Sequence, residues 1–187
     1  EKGSLYKLDK DLNLIKVDKN YRITNGPAFI DEYNFYHTDS SKKSIYKIKI
    51  NKANKIVSKK IFKKFSSKDG SPDGMTLDKN KNLWVAHFHG ACISVFNKNA
   101  KLIHKVNLPA KNITNCAFGG KNNKEIFITS ATKGMNRADL QKFKYSGSLF
   151  SVKSNINGMF QKKFILKYAK KRSLLWKNTY KTLKRGC

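Results

Sequence analysis

Asp73-Gly74-Met75-Thr76-Leu77, then Leu83-Trp84-Val85-Ala86, then Cys92-Ile93-Ser94-Val95-Phe96-Asn97 is the stretch that decides the fold. Each piece is short, apolar and rich in β-branched or aromatic residues. Asn, Asp, Gly and Lys separate the pieces, which is how β-strands and their turns read in a sequence. All three pieces recur. Asn25-Gly26-Pro27-Ala28-Phe29 precedes the first by 48 residues, and Asn115-Cys116-Ala117-Phe118 follows it by 42. Phe35-Tyr36-His37-Thr38 and Ile126-Phe127-Ile128-Thr129 flank the second at 48 and 43. The third returns as Ser4-Leu5-Tyr6-Lys7-Leu8-Asp9, Ser44-Ile45-Tyr46-Lys47-Ile48 and Ser148-Leu149-Phe150-Ser151-Val152, with Leu5, Ile45, Ile93 and Leu149 spaced 40, 48 and 56 residues apart.

Each period therefore holds about four short strands, and no helix is expected between Lys2 and Phe160. Four antiparallel strands per repeat of roughly 40–50 residues is the pattern of β-propeller blades. A sandwich or barrel also gives many short strands, but three elements interleaved at one period favour the all-β propeller. Residues 1–160 hold three periods and part of a fourth, or about four blades. A closed ring takes roughly four to eight blades. Strand edges left open by missing blades would promote association. Trp84 and the aromatic strand positions read as core between blades.

The chain has 187 residues, 40 Lys+Arg against 12 Asp+Glu, and a formal net charge of +28. Its size fits one domain, or one domain plus an appendage, and its 39% hydrophobic content is too high for a mainly disordered chain. High positive charge ordinarily points to phosphate. Here 36 of the basic residues are Lys and only 4 are Arg, the residue that grips phosphate and base edges bidentately. With 19 Asn and 15 Ile, the composition also fits an A/T-rich coding sequence, so no nucleic-acid partner is expected. No stretch approaches the ~20 apolar residues of a membrane span. Cys92, Cys116 and Cys187 are odd in number and scattered, which fits reduced thiols and a cytoplasmic location. The first residue is Glu1 rather than Met, so the chain reads as a fragment of something longer.

In a propeller the innermost strands line a central channel, so matching strand ends converge on one mouth. Asn25 and Asp73 stand at matching positions, and Asn115 lies 42 residues further on. Carboxylate and amide oxygens are hard donors suited to Ca²⁺ or Mg²⁺, with Zn²⁺ and Mn²⁺ also open. Gly26 and Gly74 would let the backbone turn sharply there. Asn-Gly and Asp-Gly are equally the commonest hairpin pairs, so the plain alternative is two turns. His87 and His89 flank Phe88 and share a face if the strand continues, which makes His87 a candidate substrate-binding residue. Asn112-Ile113-Thr114 matches a glycosylation sequon of the kind that occurs by chance. No nucleophile elbow and no Gly-rich phosphate loop is present.

These residues resemble the regucalcin/gluconolactonase (senescence-marker-protein) family. The similarity runs through Gly3-Ser4-Leu5-Tyr6, Thr24-Asn25-Gly26-Pro27-Ala28-Phe29 and Tyr36-His37-Thr38-Asp39-Ser40. It continues in Pro72-Asp73-Gly74-Met75, Asn82-Leu83-Trp84-Val85-Ala86-His87, Asn115-Cys116-Ala117-Phe118-Gly119-Gly120 and Gly147-Ser148-Leu149-Phe150. The resemblance implies a six-bladed propeller with one divalent cation at its axial mouth, hydrolysing sugar lactones or related esters. It implies Asn25 and Asp73 as metal ligands and Asp73 as the catalytic proton donor or acceptor. The family's third ligand, a Glu, and its substrate-binding Arg and Asn belong to blades upstream of Glu1. On this reading the chain is the C-terminal two-thirds of such a protein, with impaired activity. A calcium- or sugar-binding propeller without turnover is the main rival.

The organisation expected is a partial propeller over 1–164 and a basic extension over 165–187. Residues 161–187 carry 10 basic residues and no acidic one. Ile165, Ala169, Trp176, Tyr180 and Leu183 fall near one face at helical spacing. A solvated extension packed on the propeller is favoured over contact with an anionic membrane.

Overall fold

The computed structural model describes residues 3–161. Four antiparallel sheets follow one another along the chain. The first is a hairpin of β1 (Gly3–Leu8) and β2 (Leu14–Tyr21). The second is a four-stranded meander of β3 (Thr24–Phe29), β4 (Asn34–Asp39), β5 (Ser44–Ile50) and β6 (Ile56–Lys64). The third repeats it with β7 (Ser71–Leu77), β8 (Leu83–Phe88), β9 (Cys92–Phe96) and β10 (Leu102–Asn107). The fourth has β11 (Asn112–Gly119), β12 (Glu125–Ala131) and β13 (Leu149–Lys153). From the second sheet on, the three recurring sequence pieces are the first, second and third strands of each sheet. The first strands β3, β7 and β11 pack side by side, as inner strands of neighbouring blades do.

Three apolar clusters fill the three gaps between sheets. Phe35, Ile48 and Ile50 meet Leu5 and Val17 of the first sheet. Ala28, Tyr36 and Ile45 meet Met75, Leu77 and Val85 in the next gap. Trp84, Ile93 and Val95 meet Ile113, Ile126 and Ile128 in the last. Trp84 is indeed core between sheets, buried to 6% exposure. The turns are built alike. Asp78 is fully buried and accepts from the backbone N–H groups of Asn80 and Asn82, from Asn82 Nδ2 and from Trp84 Nε1. Asp9 does the same for Asp11 and Asn13 between β1 and β2, and Asn97 for Asn99 and Lys101.

One expectation fails. A six-residue helix, α1 (Arg137–Lys142), lies in the long connection from β12 to β13. Asn136 caps it by accepting from the Asp139 N–H at 2.8 Å, a side-chain cap that compensates for the lack of apolar periodicity. After β13 the chain crosses back under the turns of two sheets: the Gly158 N–H donates to Asn123 and the Met159 N–H to Leu77. The basic segment from residue 162 onward, with its helical spacing, lies outside the described residues. Among the described residues no helix is long and apolar enough to cross a membrane.

Candidate functional site

Each inner strand breaks register at the same height. On β3 the pairing passes from Asn25↔Thr38 to Ala28↔Tyr36, and on β7 from Pro72↔His87 to Met75↔Val85. On β11 it passes from Ile113↔Ser130 to Asn115↔Thr129. Every break holds one more residue on the inner strand than on its partner, which is a β-bulge. Asn25-Gly26 and Asp73-Gly74 are therefore not the tips of hairpins. The bulges re-aim side chains at the ends of three adjacent strands.

The ladders also shift the third position by one residue. Met75 pairs with Val85 and Cys116 with Ile128, which are repeat equivalents. Counting back from Met75 and Cys116, Thr114 matches Asp73, while Asn115 matches Gly74. The sequence spacing had put Asn115 beside Asp73; the difference lies in the β11–β12 connection, where Ile128 follows Cys116 by 12 residues while Val85 follows Met75 by 10. Asn115 instead lies over Gly74, where an added Cβ would stand 2.1 Å from Asn115 Oδ1 and 2.8 Å from its Cα. Only glycine leaves room for that approach.

Asn25, Gly26, Asp73, Gly74, Thr114 and Asn115 line one cavity of about 450 Å³. Asn25 and Asp73 also line a second cavity of about 400 Å³, with Ser40, Ser71, His89 and Lys133 further round. The two candidate ligands thus share one opening. Asn25 Nδ2 donates to Ser40 Oγ at 2.8 Å, which fixes the amide and leaves its carbonyl oxygen uncommitted. Burial pushes the Asp73 carboxyl up to about 6, opposed only by the Gly74 backbone N–H. Among the described residues it has no ion pair, although the chain carries 40 Lys+Arg.

The histidines part company. β8 ends at Phe88, and His89 takes a left-handed φ of 66°, so the shared face never forms. His87 is 2% exposed, packs edge-on against Phe65 and joins Asp69 O through Nδ1 at 2.7 Å. It lines neither cavity. His89, which the sequence offered only as its neighbour, lines the second. The sequon residue Asn112 is fully buried, with its amide engaged at both ends.

Asn25 Oδ1 and the unpaired Asp73 carboxylate are hard oxygens and fit part of a divalent cation's shell. Asn115 Oδ1 is already occupied by the Cys116 N–H at 2.9 Å, and the Thr114 and Thr129 hydroxyls bond each other at 2.7 Å. No group of three His, Cys, Asp or Glu gathers anywhere among the described residues.

With this geometry in view, comparison with known proteins is direct. The family model described as the SMP-30/gluconolactonase/LRE-like region matches residues 1–132. The chain belongs to this family. A Bacillus subtilis (strain 168) relative carrying a sugar-lactone-lactonase name is 35% identical over 163 residues, covering 84% of this chain and 55% of its own. Regucalcin of Gallus gallus is 33% identical over 153 residues, 80% of this chain and 51% of regucalcin. The solved structure of a calcium-binding protein, regucalcin, from Agrobacterium tumefaciens superposes with a TM-score of 0.80 at 19% identity. It covers 87% of this chain and 56% of that one, and speaks for the fold alone. The chain spans about half the length of these SMP-30/gluconolactonase relatives.

Proposed function

We propose that this SMP-30/gluconolactonase-type chain carries the metal and acid–base half of a sugar-lactone hydrolase centred on Asn25 and Asp73. The observation that carries the reading is the unpaired Asp73 carboxyl on a bulge, sharing one cavity with Asn25 from the neighbouring inner strand. A divalent cation bound by Asn25 Oδ1 and Asp73 would supply Lewis-acid polarisation of the lactone carbonyl. The Ser40 contact holds the Asn25 amide in one orientation, so its oxygen is presented without further ordering cost. Burial raises the Asp73 carboxyl to about 6 in the cation-free site; a bound cation would favour its carboxylate form, which would accept a proton from the attacking water. Gly74 allows Asn115 to close over the backbone beside it. A domain reading of 1–164 as partial propeller and 165–187 as extension accompanies this proposal.

The test is lactone opening followed by proton release, with cation binding followed separately by calorimetry. Asp73→Asn should lower turnover by on the order of 10²–10⁴-fold. Asn25→Ala should weaken cation binding. Unchanged turnover and binding in both variants would refute the assignment. Cation binding without any turnover in the parent chain would instead favour the non-catalytic binding propeller.

A further inference from the structure

The second cavity has chemistry that lactone opening does not require. Its share of the mouth is common to the first, through Asn25 and Asp73, but its far wall differs. The first cavity is lined by no basic residue. The second adds His89 and Lys133 together with Ser40, Ser41 and Ser71, beside the apolar Ile23 and Phe88. Lys133 has no carboxylate partner among the described residues.

This wall is held in place by a buried residue. Asn112 is fully buried at the start of β11. Its Oδ1 accepts from the His89 N–H at 3.2 Å and its Nδ2 donates to the Lys133 carbonyl at 2.9 Å. One amide thus ties the β8–β9 turn to the loop after β12, so that both basic residues border the same space. His89 adopts its positive φ under this tie.

We infer that the lobe bounded by Lys133, His89 and the three serines receives an anionic substituent at the far end of the sugar, selecting acidic lactones over neutral ones. The inference rests on the lactone reading of the Asn25–Asp73 cavity and names the substrate class of that site. A lysine ammonium and serine hydroxyls can donate together to phosphate or carboxylate oxygens. Both sources share this chemistry and differ in charge and size.

Stable sugar acids serve as probes: gluconate, glucarate with a second carboxylate at its far end, and 6-phosphogluconate. Binding of each is measured by calorimetry in 0.15 M salt, so that diffuse attraction to a +28 chain is screened. Lys133→Met is compared with Lys133→Arg and with Lys52→Met, a lysine in the β5–β6 turn remote from the cavity. Glucarate or 6-phosphogluconate should bind at least tenfold more tightly than gluconate, and whichever of the two leads identifies the substituent. That preference should vanish in Lys133→Met, persist in Lys133→Arg and be untouched in Lys52→Met. Equal binding of all three probes, or a preference that survives Lys133→Met, overturns the anion lobe while leaving the lactone reading in place. Binding of none of them sinks both.

Discussion

His37 is the residue whose surroundings are least satisfied. It is 2% exposed, meets Tyr21 edge-on at 4.7 Å, and among the described residues neither ring nitrogen has a hydrogen-bond partner. Burial holds its pKa at about 4 against the ordinary 6.5, so the unfolded chain takes up the proton first. Stability from this group is therefore complete above about pH 6.5 and drains away as the pH falls towards 4, by about 3 kcal/mol at the acid end. His37→Phe keeps an aromatic edge for Tyr21 and removes both orphaned nitrogens. Thermal melts should show the variant at least as stable as the parent at pH 7.5, with its advantage widening at pH 4.5. A gap that stays constant with pH would mean that His37 titrates normally. At this scale the sequence was partly legible. Asn25 and Asp73 stand out because an amide and an acid recur in register before a glycine. His87 lies buried against Phe65, and a strand histidine reads the same whether its face turns to the channel or to the next sheet. Lys133 is one lysine among 36 and carries no local signal at all.

At the level of elements, the repeated turns are the main stabilising device outside the core. Asp78 alone satisfies three donors of its own turn and the indole N–H of Trp84, with no exposure. Asp78→Ala would strand the buried Trp84 indole N–H and free three part-buried turn donors, a buried donor costing about 1–3 kcal/mol when left unpaired. Urea denaturation should show a loss of about 3–5 kcal/mol, near the top of what single substitutions produce. A loss below about 1 kcal/mol would show that water reaches the turn. The strands themselves were readable from apolar pieces bounded by turn residues. The bulges were not, because an inserted residue leaves composition and spacing almost unchanged while moving every later residue by one. That Thr114, and not Asn115, matches Asp73 comes instead from a β11–β12 connection two residues longer than its β7–β8 counterpart. The helix α1 escaped notice for a related reason: six residues capped by a single Asn side chain show no apolar stripe.

For the whole molecule, charge and packing pull in opposite directions. The three inter-sheet clusters hold the sheets together, while 40 basic residues face 12 acidic ones. Among the described residues few of the lysines are in ion pairs, which range from the exposed Lys10–Asp11 to the half-buried Lys59–Asp18 and Lys111–Asp139, and an exposed pair contributes at most ~1 kcal/mol. Self-repulsion should therefore dominate. The melting temperature should rise between 10 mM and 300 mM sodium chloride as the charges are screened, and a fall would show that the ion pairs matter more than the excess. The propeller-like succession of sheets was fully legible, since repeats announce themselves at this length scale; the shared cavity was not, being a product of how three strands sit side by side. The bulges have one more consequence, for how such a molecule can change. Beyond each extra residue the inward–outward alternation begins afresh, so Met75 and Cys116 return to the interior whatever occupies 73 and 114. These addresses behave as replaceable fittings. Their chemistry can be exchanged, by descent or by an engineer, while the sheets behind them keep their packing.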